Sequence, residues 1–82
     1  MTVYFIQDES GAIKIGFSLG NPRARLTALQ TGNPGELKLL VAIPGNQTTE
    51  QDLHRRFADQ RLRGEWFRPD ARLLGFIDGL LY

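Results

Sequence analysis

Residues 2–18 read TVYFIQDESGAIKIGFS, and the pairing of the two halves of this stretch decides the fold. Thr2 to Gln7 and Ala12 to Phe17 are rich in β-branched and aromatic residues, and DESG between them carries turn chemistry, so the stretch predicts a β-hairpin. A loop of Glu9, Ser10 and Gly11, a type I turn with Gly11 in the left-handed region, sets Asp8 opposite Ala12. Residues of equal parity then share a face. Val3, Phe5, Ile13, Ile15 and Phe17 form an apolar face, read as core, and Tyr4, Ile6, Lys14 and Gly16 lie on the other. A slip of one residue would scatter both sets, which favours this register.

The chain outward from the hairpin is well punctuated. In NPRARLTALQTG, Asn21 is placed to cap a helix, Pro22 to open it and Gly32 to end it. Leu26 and Leu29 make its buried stripe, with Arg23 and Arg25 at roughly 60° to 100° from Leu26 on the helical wheel. ELKLLVAI predicts a third strand with Leu37, Leu39, Val41 and Ile43 on one face. NQTTEQDLHRRFAD predicts a helix capped by Thr48, with Gln51 three residues on. Glu50, Leu53, His54 and Phe57 fall at i, i+3, i+4 and i+7, so a carboxylate and an imidazole share the stripe that anchors the helix. Asp70 opens a last helix with Leu73, Leu74, Ile77, Leu80 and Leu81 as its apolar stripe. The expected fold is α+β, a small three-stranded, mostly antiparallel sheet flanked by helices in the order β-β-α-β-α-α.

Composition bounds the function. The 82 residues make one domain, 1–82, and the ordinary hydrophobic and charged content excludes a disordered chain. The absence of cysteine excludes a disulfide framework, a thiolate zinc site and a cysteine nucleophile. The longest apolar run, Leu39 to Ile43, is too short to cross a bilayer and no signal-peptide pattern opens the chain, so a cytoplasmic protein without membrane contact is expected. Net charge is only +1, but seven of the ten basic residues cluster at Arg23/Arg25, Arg55/Arg56 and Arg61/Arg63/Arg68. Arginine's planar fork suits phosphate, and solvated arginines without a ligand are the plainer reading of the same clusters.

TVYFI, IKIGFS, NPRARLTAL and TTEQDLHRRF, in that order, resemble the GIY-YIG nuclease superfamily, and the LH and GEWF elements are similar to its small single-domain, phage-type or meiotically up-regulated branch. The resemblance runs from Thr2 to about Ile77. It implies a metal-dependent endonuclease acting on DNA, with Tyr4 as the first signature tyrosine, Gly16 as the last signature glycine, Arg25 contacting the scissile phosphate and Glu50 holding Mg²⁺ or Mn²⁺. His54 and Glu65 match positions peculiar to the branch. Lys14 stands where the second tyrosine usually does, and the final asparagine of the superfamily has no counterpart.

The chemistry these groups imply is phosphodiester hydrolysis. Mg²⁺ binds through one or two carboxylates while keeping several waters, so Glu50 alone suffices as protein ligand. Arg25 supplies positive charge where negative charge develops. Tyr4 orients or deprotonates the attacking water, for which a phenol of ordinary pKa about 10 needs a neighbouring cation. Lys14 on the same face is such a cation. His54 relays a proton or holds a phosphate oxygen. Glu65 either orients His54 or an arginine, or supports the metal from behind; alternatively it balances Arg61 or Arg63. Arg23, Arg55, Arg56, Arg61 and Arg63 are the expected backbone contacts to nucleic acid. The alternative function is a nucleic-acid-binding module that uses the same cleft without cutting. A unit this small has no separate reading domain, so targeting falls to a second copy or a partner chain.

Overall fold

The computed structural model describes residues 1–81. The hairpin forms as the sequence predicts. Strands β1 (Thr2–Gln7) and β2 (Ile13–Ser18) pair antiparallel with Tyr4 opposite Gly16 and Phe5 opposite Ile15. The Asp8 amide donates to the Ala12 carbonyl at 3.0 Å and the Gly11 amide to the Asp8 carbonyl at 3.1 Å. Gly11 has φ 96°, a conformation other residues adopt only with strain. The Asp8 carboxylate closes the turn by accepting from the Ser10 and Ala12 amides.

Helix α1 (Pro22–Thr31) starts and ends as expected, with the Asn21 side chain accepting from the Arg23 amide and Gly32 at its C-terminus. Strand β3 (Lys38–Pro44) pairs antiparallel with β1. Its register shifts between Phe5, opposite Val41, and Ile6, opposite Leu39. This bulge overturns the expected single face. Leu37 and Leu39 pack with Tyr4 and Ile6, whereas Leu40, Val41 and Ile43 pack on the opposite side of the sheet. One extra residue flips the alternation, and leucine fits either side equally well.

Helix α2 (Gln47–Arg56) begins earlier than expected. Asn46, not Thr48, is the cap, in a reciprocal box in which Asn46 accepts from the Thr49 amide at 3.1 Å and Thr49 accepts from the Asn46 amide at 3.3 Å. Both residue types cap well, and the Thr49 hydroxyl that completes the box decides for Asn46. A short 3-10 turn (Ala58–Gln60) leads into β4 (Arg61–Arg63) and β5 (Trp66–Phe67), joined by a turn at Gly64 with φ 55°. The sheet therefore has five strands in the order β3-β1-β2-β5-β4, all antiparallel, where three were expected. Strands of two and three residues are too short to show a period of two. Helix α3 (Ala71–Leu80) is capped by Asp70, which accepts from the Arg72 and Leu73 amides.

Helices cover both faces of the sheet. Val3, Phe5, Ile13 and Ile15 pack against Leu53, Phe57, Leu73 and Ile77 from the α2 and α3 side. Tyr4, Ile6 and Leu37 form a second, smaller cluster under Leu26 and Leu29 of α1. Phe67 enters the first cluster and its neighbour Trp66 the second, so β5 is pinned from both sides. Burying a side chain such as Phe67 or Ile13 contributes about 1.5–3 kcal/mol each. Phe17 is only half-buried and Leu81 is 58% exposed, so neither belongs to the core expected of it. Among the described residues no helix is long and apolar enough to cross a membrane.

Candidate active site

Strand β5 pairs with β2 only at Ile13 and Lys14. Just beyond, the Ile15 amide donates to the Glu65 carbonyl at 3.0 Å, and the Ile15 carbonyl accepts from Nε2 of His54 at 2.8 Å. A side chain of α2 thus takes over the backbone edge that β5 leaves. This is how groups from opposite faces of the sheet meet: Lys14 lies on the α1 side, Glu50 and His54 belong to the helix on the other side, and Glu65 sits in the turn between them.

The Lys14 amine donates to Oε1 of Glu65 at 2.8 Å, with the lysine side chain 11% exposed and the glutamate 38%. The amine also lies 5.7 Å from the Trp66 ring centre, within cation–π range. The question whether Glu65 serves Arg61 or Arg63 is answered by this pair: its partner is Lys14, and Arg61 instead donates to the Gly64 carbonyl at 2.7 Å. Glu65 also faces Glu50 and His54, since one donor atom from each of the three lies within 4.8 Å of the others.

Glu50 is 9% exposed, and no hydrogen bond reaches its carboxylate from the described residues. Desolvation pushes its pKa above the ordinary glutamate value and the Glu65 charge pushes it further, against His54 and Lys14. The His54 ring packs edge-on against Phe67 at 5.1 Å between centroids, which holds it in place. Because a carbonyl oxygen only accepts, Nε2 is the donor, and Nδ1 is the ring nitrogen outside this bond. Two carboxylates and an imidazole nitrogen are a donor set that fits a divalent cation.

Tyr4 is 1% exposed and runs across Gly16. A Cβ at position 16 would lie 2.3 Å from the tyrosine Cζ and 2.4 Å from its oxygen, so only glycine lets the phenol pass. Arg25 is exposed on α1. Interaction with the Tyr4 hydroxyl is the chief cause raising the Arg25 pKa, and Glu65 adds to it at longer range. The cation beside the phenol is therefore Arg25, whereas Lys14 is engaged with Glu65.

The structure brings Lys14, Glu50, His54 and Glu65 together; Tyr4, with Gly16 beneath it, and Arg25 form a neighbouring pair that senses the Glu65 charge. The structure does not gather the expected nucleic-acid contacts. Arg55 pairs with Asp52. Arg56 stacks on Phe76, 4.7 Å from the ring centre, and on Phe57 at 5.6 Å. Arg23 and Arg63 are exposed without an ion-pair partner among the described residues. Two contributors escaped the sequence reading. The Ile15 carbonyl that anchors His54 left no sequence signal, and the Trp66 platform under Lys14 was legible only as a core residue.

The α+β domain thus places a buried acid, an imidazole and an amine where β5 leaves the edge of β2. The chain belongs to the T5orf172 domain family, whose model matches residues 1–76, and this is a family of phage-type, nuclease-like domains. No curated protein and no solved structure matches it.

Proposed function

We propose that this chain is a divalent-metal-dependent endonuclease of the GIY-YIG type, hydrolysing phosphodiester bonds in DNA. The observation that carries the reading is the convergence of Glu50, His54 and Glu65 within 4.8 Å of one another, with Lys14 held on Glu65, at the β2 edge. Membership of a nuclease-like family supports it.

Each group has a task set by its position. Arg25, exposed beside Tyr4, meets the phosphate arriving from solvent and balances charge that grows on its oxygens. Tyr4, fixed over Gly16, orients the attacking water. As the new P–O bond forms and the ester P–O bond breaks, the water's proton passes to solvent, and the departing oxygen takes one from solvent. Glu50 would hold Mg²⁺ or Mn²⁺, which when bound would supply Lewis-acid charge to the phosphate and the leaving oxygen. His54, anchored on Ile15, sets the orientation of the ring beside Glu50.

The test is conversion of supercoiled plasmid to nicked and linear forms in Mg²⁺ or Mn²⁺, stopped by chelation and absent in Glu50→Gln. A native chain that leaves plasmid intact in both metals overturns the reading. The engagement of Lys14 by Glu65 favours a second reading, a nucleic-acid-binding module with little or no cleavage. That module binds DNA with a steep salt dependence while metal produces no new ends.

A further inference from the structure

Glu50 is nine-tenths buried as a residue, its carboxylate accepts no hydrogen bond from the described residues and keeps only a solvent-reaching edge, and it faces a second carboxylate. Such an arrangement costs stability unless a cation offsets it. His54 adds a nitrogen: Nε2 donates to the Ile15 carbonyl, and Nδ1 lies outside this bond. A ligating histidine commonly has its other nitrogen tied to a backbone carbonyl in this way. The third member, Glu65, is held by Lys14 in the absence of an ion.

We propose that Glu50, His54 and Glu65 together form a three-donor site for a divalent first-row transition metal, and that the ion competes with Lys14 for Glu65. This rests on the nuclease reading and extends it from one carboxylate ligand to a mixed nitrogen and oxygen set. An imidazole donor disfavours Mg²⁺, which prefers oxygen, and favours Mn²⁺, Co²⁺ or Zn²⁺. When the ion takes Glu65, the Lys14 amine is released on the Tyr4 side of the sheet, where a phosphate arrives. Metal loading and exposure of the amine are thereby one event.

The sign of two substitutions separates this from a purely structural ion pair. Glu65→Gln removes a ligand and weakens metal binding, whereas Lys14→Met removes the competitor and strengthens it. Loss of a positive charge alone would also strengthen binding, so competition is read from the part of the Lys14→Met gain that is lost in the Glu65→Gln background.

The experiment is Mn²⁺ binding to the full chain, read from the electron paramagnetic resonance signal of free Mn²⁺, with Mg²⁺ as competitor. The expected result is one Mn²⁺ per chain, retained in about tenfold excess Mg²⁺, with affinity lowered about tenfold or more in His54→Ala and in Glu65→Gln. Amide spectra confirm that each variant is folded, and in the wild type Mn²⁺ broadens signals around residues 50, 54 and 65 first. Binding lost in Glu50→Gln but unchanged in His54→Ala and Glu65→Gln overturns the three-donor site and leaves the nuclease reading standing. Plasmid cleavage that persists in chelator overturns the nuclease reading, whatever the binding data show. A Lys14→Met gain of undiminished size in the Glu65→Gln background overturns the competition.

Discussion

Lys14 and Glu65 meet at 2.8 Å across a sequence separation of 51 residues, and their contact ties strand β2 to the turn that precedes β5. The pair sits over Trp66, with the lysine largely withdrawn from solvent. It neutralises one of two neighbouring carboxylates. Lys14→Met is expected to cost about 1–3 kcal/mol, because Glu65 then faces Glu50 without its counter-ion. Lys14→Met/Glu65→Gln should cost less than Lys14→Met alone. Urea denaturation of the two variants checks the order.

Glu50 gives the opposite sign. Burial and the Glu65 charge raise its folded-state pKa, so ionised Glu50 weakens the fold. Glu50→Gln is expected to raise Tm in metal-free buffer at neutral pH, each 1 kcal/mol gained appearing as about 4–8 °C in a domain of this size. The pH dependence follows from the direction of the shift. As pH rises from the ordinary value of 4.5 through the raised folded-state pKa, the unfolded chain releases its proton first and the wild type loses stability. Below that window both states hold the proton, and the two proteins converge. Thermal melts across the acid range measure this.

Gly16→Ala places a methyl group inside the Tyr4 ring. The overlap is expected to cost about 1–3 kcal/mol and to displace the phenol. Tyr4→Ala in the same chain removes the overlap, so the two substitutions combine to less than their sum. A double-mutant cycle in urea reads the coupling directly.

The basic residues divide by what they touch. Arg56 packs on Phe57 and Phe76, so Arg56→Ala should lower stability by about 0.5–1 kcal/mol and leave DNA affinity nearly unchanged. Arg23 is solvent-exposed on the helix that carries Arg25. Arg23→Ala should weaken DNA binding and reduce the slope of log K against log salt by about 0.9, one phosphate contact. Fluorescence anisotropy at several salt concentrations tests both.

Much of this was legible before the structure. Parity about Gly11 gave the hairpin register, and with it the pairing of Tyr4 with Gly16. Asn21, Pro22 and Asp70 marked two helix starts, because their capping chemistry is local. The stripe of Glu50, Leu53, His54 and Phe57 needed only helical periodicity. What escaped depends on distant partners. The Leu40 bulge is set by how two strands fit, β4 and β5 exist only as additions to a formed sheet, and the choice of Lys14 by Glu65 is made across the whole fold. The burial of Tyr4 followed from α1 covering a face that the hairpin alone leaves open.

The most direct test of the account is the single-turnover rate of cleavage of a labelled DNA duplex in Mn²⁺ by the wild type and by Tyr4→Phe, Lys14→Met, Arg25→Ala and Glu50→Gln. All four substitutions are expected to slow the chemical step, Arg25→Ala by about 10²–10³-fold and Glu50→Gln to the rate in buffer. Cleavage by folded Glu50→Gln at the wild-type rate would contradict the account, because the carboxylate to which it assigns the metal would then be dispensable.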